Sequence, residues 1–472
     1  MPHRAPSYRG YVPSAGDSVP VEPASLSARA MWDSYIAPRR PVVLDGLLDD
    51  AEWHGTRWTD LSYLRTAAGD AVVRVEPVHP HEDCFGTATP RTTMSFAEYL
   101  DTLRDDTAGK YYLTTQYELD PEQDSDDLDA GPPLDPLLPA PTAHLAADFP
   151  RHPRVLGALV LQQCNLWLGN SHKPKSSGLH HDFHDNLYVL LSGHKRFVLF
   201  PPSAHAALHL RGQVQKVHPN GLLVYEDPGR IRADGLDALD AAHWRVAARA
   251  RARLERPAKR ARGANDDREA KYQDAKDTFL LLRETYADAD DAGDWDDDED
   301  GDLADGDEDE EDEDEEDGDV DEGNEDAAED EDGDEDEDED EDENEDEEKA
   351  HKADEQQDSP AQDTPQEPPS FSRIKPHALH THFGIHPPIP APHPDADPLL
   401  PGAGCPPPLV VDLKPGQMLY LPASWFHEVT SAAAPDAPHM AFNYWMHPPD
   451  GHAFDAPYTD AEIWDEIRTR VV

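Results

Sequence analysis

Cysteine is almost missing from this chain of 472 residues. Cys84, Cys164 and Cys405 lie far apart and none belongs to a Cys-x-x-Cys pair. That excludes a disulfide framework or a zinc ribbon and fits a reducing compartment. No apolar run reaches the roughly 18 residues that a membrane-spanning helix needs, and the opening MPHRAPSYRGYVPSAGD has no apolar segment of the secretory kind. The expectation is a soluble protein of the cytoplasm, the nucleus or both, with no membrane partner. Positive charge is short as well, with 40 Lys and Arg against 100 Asp and Glu, a formal net charge of −60. A nucleic-acid partner is disfavoured on that ground.

The negative charge is concentrated. Residues 291–350 hold 43 of the 100 acidic residues and one Lys. Such a tract cannot bury enough apolar area to offset its ordering entropy, so a long disordered insertion is expected there. It reads as a solubilising segment or as a tether for basic proteins. Prolines, 46 in all, gather at the start, around 132–141 and over 359–408. About 300 residues remain for one large β-rich core with a helical N-terminal part. The expected division is an irregular arm (1–24), an α/β prelude with the first half of the core (25–226), a basic then acidic disordered insertion (227–370), and the second half of the core with a C-terminal helix (371–472). Lys259, Arg260 and Arg262 in PAKRARG have the spacing of a nuclear-import signal, and equally of a basic patch that pairs with the acidic tract.

Chemistry gathers in LHHDFHDNLYVLLSGHKRFVLFPP, from Leu179. His180 and Asp182 stand two apart, so on extended backbone they project from one face and can share an ion. His181 and His184 are neighbours of the same type. A third ligand candidate is His427 in GQMLYLPASWFHEVTS, after a turn at Gly416. Two imidazoles and one carboxylate on one side of an ion leave the opposite positions open, the facial arrangement of non-haem Fe(II) oxygenases. Asn186–Leu191 and Lys195–Phe200 read as two strands about the tight turn Ser192–Gly193, a hairpin. Lys195 in that apolar strand is either an anchor for the far carboxylate of a small dicarboxylic acid or a snorkelling surface lysine.

Together the His180-x-Asp182 pair, NLY, SGHKRFVLFPP and GQMLYLPASWFHEV resemble the JmjC (cupin-like) family of Fe(II)- and 2-oxoglutarate-dependent oxygenases. Within it the resemblance is closest to the small JmjC-only protein hydroxylases, of the factor-inhibiting-HIF and JmjC-domain-containing protein 7 kind. It implies a mainly β, double-stranded β-helix (jelly-roll) core. It also implies Fe(II) on His180, Asp182 and His427, with 2-oxoglutarate and O2 as co-substrates and Lys195 holding the distal carboxylate. By the same resemblance Ser177 and Tyr112 bind that carboxylate, and Asn186 and Asn443 match active-site asparagines. For Tyr112 a packing role in its strand is the equal alternative. Implied activities are hydroxylation of a protein side chain, perhaps of a basic, lysine-containing substrate, or histone-lysine demethylation on the same fold. A non-catalytic module that binds basic proteins through its acidic tract is the third reading.

Elsewhere Ser25 can cap a helix through Tyr35, and Ser95 and Glu98 have capping-box spacing. SAHAALHL after Pro202 reads as a helix, LVVDLKPGQMLYLPASWFHEVTS as two strands and HMAFNYWM as a closing strand. A helix over about Thr459–Arg470 carries Ile463, Trp464 and Ile467 on one stripe, and by the same family resemblance such a C-terminal helix implies a homodimer.

Overall fold

Eight antiparallel strands frame the computed structural model, which describes residues 8–79, 85, 89–105, 109–116, 128–129, 131–132, 137–254, 262–291, 368–391 and 398–471. They are β1 (Leu161–Gly169), β2 (Lys175–His180), β3 (Asp185–Ser192), β4 (His194–Phe200), β5 (Leu409–Leu413), β6 (Gln417–Leu421), β7 (Phe426–Ala432) and β8 (His439–Met446). A four-stranded sheet runs β5-β4-β7-β2, and a larger one has β6-β3-β8-β1 at its centre. The larger sheet is extended by Val21–Pro23 and Val42–Asp45 on one side, and by Tyr111–Leu113, Val72–Pro77 and Thr92–Ser95 on the other. This is the expected jelly-roll. Burial follows position: β8 is buried at every residue, as a central strand covered on both faces must be, whereas the edge strand β5 alternates buried and exposed.

The expected hairpin does not form. β3 pairs with β6 and β8 in the larger sheet, while β4 pairs with β5 and β7 in the smaller one. Gly193 makes the crossing at φ +78, where a Cβ would stand 2.6 Å from His439 Cα and 2.7 Å from the Ala432 carbonyl oxygen. Both strands are apolar on both faces, and a two-stranded ribbon could cover neither. Likewise 409–432 forms three strands rather than two, and the segment after Pro202 is a 3-10 turn, Pro202–Ala207.

The N-terminal arm is not irregular throughout. Val21–Pro23 pairs in parallel with Val42–Asp45, and Tyr11 stacks on Trp425 with ring centroids 6.3 Å apart. Ser27, not Ser25, caps the first helix, accepting from the Ala30 N–H. The Ser95–Glu98 box is present: Glu98 Oε2 accepts from Ser95 N and Oγ, both at 2.8 Å, and Glu98 N donates back to Ser95 Oγ.

Nor does the chain leave the fold at Asp227. Helix α1 (Ala238–Leu254) buries Ala241, Trp244 and Ala247 in the main core. Helix α2 (Arg262–Asp291) lays Tyr272, Ala275 and Phe279 against Ala242, Val246 and Ala250. The basic start of the expected insertion is an Ala stripe flanked by arginines: the small residues face inward, and Arg249, Arg251 and Arg253 reach Glu462, Glu466 and Glu269 on other helices. One unit comprises Met1–Ala289 with Pro365–Val472; the other is Asp290–Thr364, of which only the first two residues are described. Cys84, Lys259, Arg260, the acidic tract beyond Asp291 and most of the 118–141 loop lie outside the described residues.

After the insertion, helix α3 (Pro376–Phe383) returns to the smaller sheet. The C-terminal helix α4 (Ala461–Val471) turns its apolar stripe into its own chain. Ile463, Trp464 and Ile467 are buried in the main core, and Trp464 Nε1 donates to Asp234 at 3.0 Å. Arg251 of α1 pairs at 2.6 Å with the buried Glu466 of α4. Among the described residues no helix is long and apolar enough to cross a membrane.

Candidate metal centre

His180 closes β2 and His427 is the second residue of β7, and the two are direct partners in the antiparallel register. Asp182 follows just past the end of β2. One donor atom from each of the three lies within 4.8 Å of the others. Asp182 Oδ2 is 3.6 Å from His427 Nε2, and the two rings stand 4.4 Å apart at 57°. A register shift between Glu428 and Thr430 marks a bulge next to the site, a device that re-aims side chains.

Hydrogen bonding prepares both rings for coordination. His180 Nδ1 lies 3.0 Å from the Gly178 carbonyl oxygen and His427 Nδ1 lies 2.9 Å from that of Trp425. A carbonyl only accepts, so in each ring Nδ1 carries the hydrogen and Nε2 keeps its lone pair. Burial, helped by the neighbouring His427, lowers the His180 pKa to about 4, so the ring stays neutral as a ligand must. His181 and His184 face elsewhere: His181 Nε2 bonds Tyr225 OH at 2.6 Å, and His184 stacks on Trp445. The donor set fits a divalent ion held on one side.

A cavity lies beside the triad, lined from both sheets. Its lining includes Phe85, Tyr112, Ser177, Asn186, Tyr188 and Ser431. Behind two of these lining hydroxyls Lys195 is wholly buried, donating to Tyr112 OH at 2.9 Å and to Ser431 Oγ at 2.6 Å. Burial alone lowers its pKa to about 7. A buried ammonium offered, among the described residues, only hydroxyl acceptors fits an incoming carboxylate. The snorkelling alternative is therefore excluded. Tyr112 is held as the neutral phenol by burial.

The remaining expected residues divide. Ser177 lines the cavity, but its hydroxyl donates to the Gly178 carbonyl at 3.1 Å and accepts from Val429 N–H at 3.2 Å. Asn186 lines the cavity; Asn443 lies behind it, fully buried. There its Nδ2 donates to Asn186 Oδ1 at 3.1 Å and its Oδ1 accepts from Trp167 Nε1 at 2.8 Å. Asn443 is thus a support for Asn186 rather than a lining residue. Ser431 was not foreseen, although alternation along β7 carries a signal for it, since His427, Val429 and Ser431 fall on one face. Tyr188 falls on the face of β3 that carries Asn186, whereas Phe371, whose ring stacks on His180 at 4.7 Å, had no such signal.

The cupin-like domain family matches residues 28–452. The chain is also 38% identical over 475 aligned residues to the JmjC domain-containing protein 4 of Schizosaccharomyces pombe, covering 98% of this chain and 92% of that protein. With the jelly-roll and the His-Asp-His cluster already in place, these likenesses establish that the chain belongs to the cupin-like family of JmjC-domain proteins.

Proposed function

We propose that the protein is an Fe(II)- and 2-oxoglutarate-dependent dioxygenase that hydroxylates a side chain of a protein substrate, with lysyl side chains as the first candidates. One observation carries this reading: the imidazole and carboxylate triad lines the same cavity as Tyr112 and Ser431, the two hydroxyls that the buried Lys195 ammonium donates to. When bound, iron with 2-oxoglutarate and O2 supplies oxidative decarboxylation to succinate and CO2 together with oxidation of a nearby C–H bond.

The chain's own part is geometric. His180, Asp182 and His427 hold one side of the ion and leave the other open. Lys195, with Tyr112 and Ser431 around its ammonium, receives the distal carboxylate and so fixes the co-substrate's length and direction. Asn443 fixes the Asn186 amide beside the triad, and Phe85 and Tyr188 wall the cavity against water. The net charge of −60 draws basic proteins as substrates or partners, in the cytoplasm or the nucleus.

The motif resemblance to small JmjC-only hydroxylases supports hydroxylation over demethylation. The test is succinate formation by the purified chain with Fe(II), 2-oxoglutarate and a desalted extract of its own cells, with Asp182→Ala as control and mass analysis of the modified proteins. Succinate above the control with a product that gains one oxygen supports the proposal. Loss of a methyl group makes it a demethylase instead. No succinate and no bound iron leaves a scaffold that binds basic proteins.

A further inference from the structure

The two histidine ligands belong to different strands, and a third segment touches the surroundings of both. It is the stretch that re-enters the fold after the acidic insertion. Backbone bonds stitch its start between the end of β2 and the 208–212 loop. Ser372 N donates to Leu179 O at 2.8 Å, Arg211 N to Phe371 O at 2.8 Å and Arg373 N to His209 O at 2.9 Å. Leu179 immediately precedes His180, so this stitching sets the Phe371 ring over the ligand. The rings lie 4.7 Å apart and only 10° from parallel.

Nine residues on, the same segment reaches the neighbour of the other ligand. His380 and Glu428 are both fully buried, with His380 Nε2 3.0 Å from Glu428 Oε2. His380 Nδ1 accepts the Ile389 N–H at 3.2 Å, so its hydrogen is on Nε2 and is donated to Glu428. Glu428 Oε1 accepts from Thr430 Oγ1 at 2.9 Å and from Ser176 Oγ. Glu428 follows His427 in β7, and Ser176 lies in β2. One carboxylate therefore ties the two ligand-bearing strands together at the bulge, and His380 secures that carboxylate from behind.

We propose that residues 369–389 form a strap that positions both imidazole ligands, Phe371 acting on His180 by stacking and His380 acting on His427 through Glu428. Neither residue lines the cavity or belongs to the donor triad, so both are positioning residues. The inference rests on reading His180, Asp182 and His427 as metal ligands, and it goes further: the segment after the acidic insertion is part of the metal centre. Outer groups that orient metal-bound histidines typically change metal affinity by about 10- to 100-fold.

The test uses the full chain and Mn(II), titrated into metal-free protein and followed by calorimetry and by the electron paramagnetic resonance of free Mn(II). Phe371→Ala is expected to weaken Mn(II) binding about tenfold or more, whereas Phe371→Tyr, which keeps the ring face, stays within about twofold of the wild type. Phe371→Leu, which retains apolar volume without a ring, carries the same expectation as Phe371→Ala should the smaller side chain prevent folding. His380→Gln, able to donate to Glu428 but not to fill the ring's place, is expected to lose less affinity than His380→Ala. Folded Phe371→Ala or Phe371→Leu protein with wild-type Mn(II) affinity overturns the strap. A wild-type chain that binds no Mn(II), or that binds it equally after Asp182→Ala, instead overturns the metal reading beneath it.

Discussion

His180 and His427 are paired across β2 and β7, with ring centroids 4.4 Å apart, although the whole insertion separates them in the chain. Their Nε2 lone pairs converge because each Nδ1 is held by a carbonyl two residues before its own ring. The site is thus built by strand register and local hydrogen bonds together, and Asp182 completes it with the one carboxylate among the three donors.

Asp182→Ala leaves two imidazoles without their anionic partner. Stoichiometric Fe(II) or Mn(II) binding is expected to vanish and succinate formation to fall to background, while the thermal midpoint of the metal-free chain changes little, since Asp182 is partly exposed. Metal content after desalting and a thermal scan of the same samples check this.

Lys195 gives a pH dependence of defined sign. Its pKa is lowered from 10.5 to about 7 by burial, so between those values the unfolded chain binds a proton that the folded chain does not. The cost of burying the ammonium is fully present below pH 7 and is relieved as pH rises toward 10.5. Denaturant unfolding at about pH 7 and about pH 9.5 should therefore show the wild type gaining stability relative to Lys195→Met as pH rises. Affinity for 2-oxoglutarate runs the other way. If, as proposed, the ammonium receives the carboxylate, binding is expected to weaken above pH 7 and to take up a proton there. Calorimetry in buffers of different ionisation enthalpy measures that uptake, which Lys195→Met should abolish.

Asp185 accepts from four donors: Arg39 through Nη1 at 2.7 Å and Nη2 at 2.5 Å, Tyr420 OH at 2.6 Å and Ala423 N at 2.9 Å. It pins the N-terminal segment to the loop that delivers His427. Asp185→Ala strands a buried guanidinium and is expected to cost about 3–5 kcal/mol by urea unfolding. Replacing Arg39 and Asp185 together by apolar residues should cost less than the single change.

The domain boundaries can be cut two ways. Replacing residues 292–367 by a Gly/Ser linker is expected to leave the thermal midpoint and Mn(II) affinity unchanged, because that stretch is acidic and poor in apolar residues. Removing 227–370 instead takes away α1, whose Trp244 and Ala247 share the main core with Trp464. Loss of large buried aromatics costs about 3–5 kcal/mol each, so this chain should unfold or aggregate on expression. Circular dichroism with size-exclusion chromatography separates the two outcomes.

Much of this protein could be read from local pattern. The HxD pair, the apolar strands about Ser192–Gly193, the Gly416 turn before His427 and the Ser95–Glu98 box are short-range signals: the strands, the turn and the cap form where they were expected, and the pair joins His427 in one cluster, but the two strands do not make the expected hairpin. The sequence could not tell that β3 and β4 part at Gly193 into different sheets, because strand periodicity says which face is apolar and not which strand lies alongside. Ser431 came to Lys195, and Asn443 to the back of Asn186, through cross-strand register. Phe371 and His380 reached the ligands only through a segment that folds back after the insertion. Helix α1, placed by the sequence in the basic start of a disordered insertion, became core because α4 offered its apolar stripe and acids to receive it. Residue type and spacing determined the chemistry available to this chain. Only the tertiary structure decided which distant residues share it, since that depends on long-range burial and pairing.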